Sequence, residues 1–417
     1  MTRFSLTAIL LVVSTAAVFA QKASPECSKD IKVNEQRDLD GISNCKTFTG
    51  TITVDSTKLS KLELKGVEEM NGDLILQGNS DLQSFSAPQL KKVKGEVRII
   101  NHTILDKVDL TSLTEAKGLT LAVLPALEQI RFPAGLSKVD DLRIEDTRSP
   151  SISGLNAETY NTFQLTNNKY MKEFDLASTK EIKTNIVVLA NGNSMNFKAP
   201  NLARLKMATF RNLGQLDLPA LTSVTGDMSF HENQFNALNM DNIELIGGTL
   251  TIANNDRLAE TSFKALSKVG GALSIGNNTQ LHNIDGFPKL QEVDGTVDMA
   301  GSFDNYKLPV LADIRGGMRL QTTSSQFGCS DLEKKLKNDN VVKGNTWSCA
   351  SSLQENQMSP TIGQNAGAPQ TISGGAAGTT SSRNGNGDGN QHSAASRSIA
   401  AQGVAVVVMA MVLAIQF

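Results

Sequence analysis

The sequence predicts an all-β protein: a right-handed parallel β-helix or leucine-rich-repeat-like solenoid of about thirteen coils with disulfide caps. Three observations predict it. A pair of apolar residues recurs about every 22 residues, turn-forming residues recur in phase with it, and the four cysteines fall in two local pairs flanking the repeats.

The paired apolar residues are Ile52/Val54, Leu74/Leu76, Val97/Ile99, Leu119/Leu121, Leu142/Ile144, Phe163/Leu165, Ile186/Val188, Ala208/Phe210, Met228/Phe230, Leu250/Ile252, Leu273/Ile275, Val297/Met299 and Met318/Leu320. Ile52 to Met318 is 266 residues in twelve steps, or about 22 per step, a regularity that marks a repeat architecture. Alternation with period two puts each pair on one face of a strand, often with a Gly two residues before it. Two residues beyond the pair stands Asn101, Asp146, Asn167, Asn212, Asn254 or Asn277, and later in the repeat comes Pro-x-Leu, at Pro88/Leu90, Pro200/Leu202, Pro219/Leu221, Pro288/Leu290 and Pro309/Leu311. Asn and Asp supply turns and Pro stops a helix, so each repeat reads as strand, turn, short strand, corner. One such coil cannot bury its own apolar residues, whereas coils stacked about 4.8 Å apart can. The competing α/β reading needs roughly thirty residues per unit and a sustained helical pattern, and the repeats supply neither.

An open solenoid exposes strand edges at its ends unless something covers them. Cys27 and Cys45 lie at one end, Cys329 and Cys349 at the other. Thirteen coils separate the ends by about 60 Å, far beyond the roughly 7 Å that a disulfide spans, so Cys27–Cys45 and Cys329–Cys349 are the pairings expected. Asp331 to Lys337 reads as a short amphipathic helix closing the far end beside Trp347.

With 40 Lys+Arg against 42 Asp+Glu and no basic cluster, the chain has no field to hold a polyanion, and nucleic acid is not an expected partner. Scattered histidines and the lack of a CxxC pair give no reason to expect a metal, and no cofactor is expected. The ends read as addresses. Arg3 precedes an apolar run from Leu6 to Phe19, with Val18 and Ala20 suited to signal peptidase, so residues 1–20 read as a secretory signal peptide. Residues 21–350 form the solenoid with its caps, and 351–393, rich in Ser, Thr, Gly, Asn, Gln and Ala, read as a disordered stalk. Residues 394–417 read as a GPI-attachment propeptide: small residues Ser393-Ala394-Ala395, a spacer from Ser396 to Gly403, and an apolar tail from Val404 with no basic residue after it. Ser393 is the expected attachment residue, with Asn386, Gly387 and Ala394 also in small-residue settings.

With secretory leader, cysteine-flanked repeats, polar stalk and anchor signal in one line, the chain resembles the fungal GPI-anchored cell-wall-organisation proteins, whose repeats look like receptor L domains. The resemblance is carried by Val269 to Phe287 (VGGALSIGNNTQLHNIDGF), Lys92 to Thr103 (KVKGEVRIINHT) and Asp38 to Cys45 (DLDGISNC). It implies a non-catalytic surface glycoprotein, held at the outer leaflet of the plasma membrane by a GPI anchor, with a structural role in wall organisation. Its candidate partners are wall polysaccharide or wall proteins. The stalk is shorter and poorer in Ser and Thr than the family pattern, and sequons are few. Asn101-His102-Thr103 and Asn277-Asn278-Thr279 fit the N-glycosylation pattern. Both asparagines stand at the repeat corner, where an amide turned inward could bond the next coil instead; the resemblance favours a glycan.

No nucleophile elbow, zincin helix or phosphate loop appears, and no catalytic residue is expected. A β-helical polysaccharide-modifying enzyme would need carboxylates clustered on one face of neighbouring coils. The residues expected to point outward are Thr53, Ile75, Arg98, Thr120, Arg143, Gln164, Val187, Thr209, Ser229, Thr251, Ser274, Asp298 and Arg319, of which Asp298 alone is a carboxylate. Asp140 with Asp141, and Glu68 with Glu69, read as solvated corners. The other alternative is a receptor-like ectodomain that captures a soluble or wall ligand on the outward face.

Overall fold

A computed structural model describes residues 25–358; the expected signal peptide, most of the stalk, Ser393 and the anchor signal lie outside these residues. The thirteen expected strand pairs stack in parallel register in one 22-stranded front sheet, running Ile52, Leu74, Val97, Leu119, Leu142, Phe163, Ile186, Ala208, Met228, Leu250, Leu273, Val297 and Met318 from coil to coil. Each cap adds a rung beyond the thirteen expected pairs. Ile31 pairs with Ile52 at one end, and Trp347 pairs with Met318 at the other.

Each coil also contributes a short strand just before the apolar pair. In the middle coils the two run together, as in Glu115–Leu124 and Lys138–Thr147; in later coils glycines separate them, as between Lys268–Val269 and Leu273–Gly276. The recurring Gly owes its place to close backbone approach. A Cβ on Gly271 would stand 2.7 Å from the carbonyl carbon of Gly248 one coil back, a distance no side-chain carbon tolerates. Five small parallel back sheets complete the coils, among them Lys61–Glu63 with Ser84–Ser86 and Lys107–Asp109, and Glu173–Asp175 with Met195–Lys198 and Leu213–Asp217.

Between the front and back layers runs one apolar core from Cys27 to Val342. All thirteen inward pairs are buried. With one Trp and three Tyr in the chain, phenylalanines do the bulky filling: Phe163, Phe174, Phe197, Phe210 and Phe230 form a run with neighbouring centroids 5.5–6.3 Å apart. The Pro-x-Leu corners are turns in which the Leu N–H donates to the carbonyl three residues back, at Leu90, Leu202, Leu221, Leu290 and Leu311, with Pro at the second position and the Leu buried.

The caps hold Cys27 bonded to Cys45 and Cys329 bonded to Cys349, with Cα separations of 5.6 and 5.7 Å. At the far end the helical segment is longer than its sequence pattern suggested. Cys329–Leu332 is α-helical and Glu333–Asn338 continues with wider π-type turns, and Leu332 and Leu336 face inward one turn apart. Beyond Ala350 the Ser352 and Leu353 N–H groups still donate to Ser324 and Thr322 carbonyls at 3.0 and 3.1 Å, so ordered pairing outlasts the expected stalk boundary.

Candidate functional site

The most regular polar feature is the corner after each apolar pair. In the first eleven of the thirteen coils the residue two positions past the pair takes a left-handed backbone: Ser56, Gly78, Asn101, Val123, Asp146, Asn167, Ala190, Asn212, Glu232, Asn254 and Asn277 have φ between 51° and 63°, while Gly301 and Thr322 continue their strands. Asn and Asp tolerate this conformation best after Gly, which explains their recurrence. The reversal also settles which amide turns inward. Asn101 and Asn277 are exposed; the inward amide belongs to the next residue, at Asn79, Asn168, Asn191, Asn233, Asn255 and Asn278, all buried.

These buried amides form ladders across coils. Asn255 accepts from the Asn233 backbone N–H at 2.9 Å and side-chain amide at 3.0 Å, and donates to the Phe230 carbonyl at 3.1 Å and to Asn278 Oδ1 at 3.0 Å. Thr147, Asn168 and Asn191 make a second run, and Thr57, Asn79 and His102 a third. In the third, the Asn79 amide meets His102 Nε2 at 3.2 Å, so the ring serves as acceptor in its neutral form, and burial holds its pKa below the usual 6.5. The inward amide weighed in the sequence as the alternative to a glycan at Asn101 and Asn277 is found one residue later. The doublets Asn167-Asn168, Asn254-Asn255 and Asn277-Asn278 were the available signal, since one Asn of each serves the turn and the other the ladder.

Both sequons therefore lie open. Asn101 and Thr103, and Asn277 and Thr279, are exposed, while the middle residues His102 and Asn278 are buried. The two asparagines stand on one edge of the solenoid, eight coils or about 40 Å apart.

The expected outward row is half-buried or exposed from Thr53 through Ser229, but Thr251, Ser274 and Asp298 are buried. Alternation fixes the side a residue faces and not whether that side is wet. The row's one carboxylate, Asp298, accepts two N–H bonds from Arg319, both at 2.8 Å. Other acids are likewise tied between coils. Glu68 accepts from Lys91 at 2.6 Å, and this bond, with the lysine's charge, lowers its pKa. Asp141 accepts from the Thr162 hydroxyl at 2.6 Å. Glu292 and Asp294 are held by Lys268 at 3.2 and 2.9 Å, and Arg315 also pairs with both. Among the described residues no three His, Cys, Asp or Glu side chains gather as metal ligands. Tyr170, strongly exposed beneath the Arg148 guanidinium 5.5 Å from its ring centroid, is a lone aromatic and not a platform for a sugar chain.

Comparison with known proteins decides what this surface belongs to. A cell surface GPI-anchored protein of Arthroderma benhamiae is 30% identical over 352 residues, covering 84% of this chain and 89% of the relative. The chain belongs to the fungal family of GPI-anchored cell-surface and cell-wall proteins. Other family members include protein ecm33 of Aspergillus fumigatus, 28% identical over 319 residues (76% of this chain, 79% of the relative), and the cell surface GPI-anchored protein ECM33 of Candida albicans, 27% identical over 335 residues (80% and 81%). No family model and no solved structure matches the chain. Family membership places the protein outside the cell, anchored at the plasma membrane or in the wall.

Proposed function

We propose that the protein is a non-catalytic structural element of the fungal cell surface that supports the organisation and integrity of the wall. The observation that carries this reading is the relationship to GPI-anchored surface and wall proteins over most of both chains. The structure supports it physically: parallel coils locked by amide ladders and cross-coil ion pairs make a stiff spacer, and of the acids weighed for catalysis Asp298 and Glu68 are engaged with Arg319 and Lys91. In this reading residues 351–393 are the stalk, Ser393 carries the anchor, and residues 394–417 are removed. Asn101 and Asn277 carry N-glycans, for which the open corner and the exposed hydroxyl-bearing residue two positions on provide access. Wall polysaccharide or wall proteins are the partners. Deleting the protein from its own fungus should sensitise cells to wall-binding dyes, and unchanged tolerance and wall-stress signalling would overturn the reading. Mass mapping after glycosidase treatment should convert Asn101 and Asn277 to Asp and find the anchor remnant on Ser393.

A further inference from the structure

The two ends of the solenoid are finished differently. At the N-terminal end the outermost rung, Ile31–Val33, carries Lys32 at its centre, and its inward residues Ile31 and Val33 are buried, as are the cap residues Leu39 and Ile42. The first back strand is closed as well. The Gln36 side chain donates to the Glu63 carbonyl and accepts from the Glu63 N–H, both at 2.9 Å, taking the place of a neighbouring strand.

At the C-terminal end the outermost rung, Trp347–Ala350, pairs on one side with Met318–Thr322, and among the described residues no strand pairs its other side. Trp347 and Cys349 occupy inward positions, in register with Met318 and Leu320, yet they are only half-buried where Met318 and Leu320 are buried. The strand has no charge, no proline and no bulge. Those are the devices by which an exposed edge is kept from pairing with another chain, and the opposite end uses one of them, a lysine.

We propose that this edge is a self-association surface, on which Trp347–Ala350 pairs antiparallel with the same strand of a second copy about a two-fold axis. An open strand edge is completed by another open edge, and the N-terminal end of a second copy offers the poorer one, because its outermost rung, Ile31–Val33, is three residues long with an exposed Lys32 at its centre and its back strand is closed by Gln36. Lys32 therefore opposes a head-to-tail filament, and a closed two-fold pair of the uncharged edges is favoured. The Cys329–Cys349 bond ties the strand to the cap helix, so the edge is held in place before a partner arrives. A four-residue contact is weak in dilute solution and gains from confinement of both copies to one surface. This inference stands apart from the wall role and from glycosylation.

The test is sedimentation equilibrium of the full protein, solubilised with its anchor removed, compared with Ser348→Lys. Ser348 lies on the outward side of the strand, half-buried, so a lysine there leaves the core alone but sets like charges against each other across the two-fold. Wild type should reach dimer mass as concentration rises, and Ser348→Lys should raise the dimer Kd at least about tenfold, with only a small loss of melting temperature from the neighbouring Arg319. Mixing Ser348→Lys with Ser348→Glu should restore dimers, which distinguishes a repelled interface from a damaged fold. A monomeric wild type at all concentrations, an open-ended polymer, or a Ser348→Lys protein that dimerises as wild type would overturn the proposal.

Discussion

Asn255→Ala is the sharpest test of the amide ladder. The substitution removes four hydrogen bonds and leaves the Asn233 backbone N–H and the Phe230 carbonyl without their Asn255 partner, in a site from which water is shut out. Each buried group so stranded costs about 1–3 kcal/mol, giving about 3 kcal/mol for the pair after partial relaxation. The neighbouring turn residue is the control. Asn254→Gly keeps a residue that accepts φ of 59° and disturbs no buried amide, so it should cost a few tenths of a kcal/mol. Because each coil touches only its neighbours, the loss should be local. Hydrogen exchange read by mass spectrometry should show amides of the flanking coils opening about a hundredfold more often in Asn255→Ala, since 1.4 kcal/mol is a factor of ten. Equal exchange in the two variants would refute the view that the ladder, and not turn chemistry alone, joins the coils.

Three further outcomes follow from the same geometry. Leu273→Asp should cost several kcal/mol in urea unfolding by placing an unpaired charge at a fully buried position, whereas Thr120→Asp, set in register between Arg98 and Arg143, should be neutral or slightly stabilising. Val123 is a β-branched residue at φ 56°, so Val123→Asn should raise stability by about 1 kcal/mol in the same assay. His102 has a folded pKa below its ordinary 6.5, so the unfolded chain binds the extra proton and stability falls as pH drops below 6.5 towards the folded value. Melting temperatures between pH 7 and 5 should therefore decline less steeply in His102→Asn, which continues the ladder with an amide that does not titrate.

The parts of the fold visible in the sequence were those that follow from repetition. Inward positions such as Leu273 and Ile275 are marked by period two within a strand and by about 22 along the chain, and cysteine pairs too far apart to cross-link can close only locally. What was hidden depends on local reversals and on neighbours outside the pattern. A left-handed residue shifts the alternation by one, so Asn277 looked like the inward amide although Asn278 fills that role. The end rung at Trp347 was hidden because the cap helix stretches its spacing from Met318 to 29 residues, whereas Ile31/Val33, 21 residues before Ile52, follows the repeat and was legible but uncounted. Ser274 was assigned correctly to the outward side, but its burial depends on what packs there, which periodicity does not encode.

The central claim is that the protein works by being a rigid element fixed at the cell surface, and the most direct measurement is rescue of a deletion strain by a form truncated after Met358. That form keeps every described coil, both disulfides and the hydrogen bonds of Ser352 and Leu353, and loses the expected stalk and anchor signal. It should be secreted into the medium, folded, and fail to restore resistance to wall-binding dyes, while the full chain carrying an unrelated GPI signal should restore it. Full rescue by the freely secreted form would contradict the account and point to a diffusible activity instead.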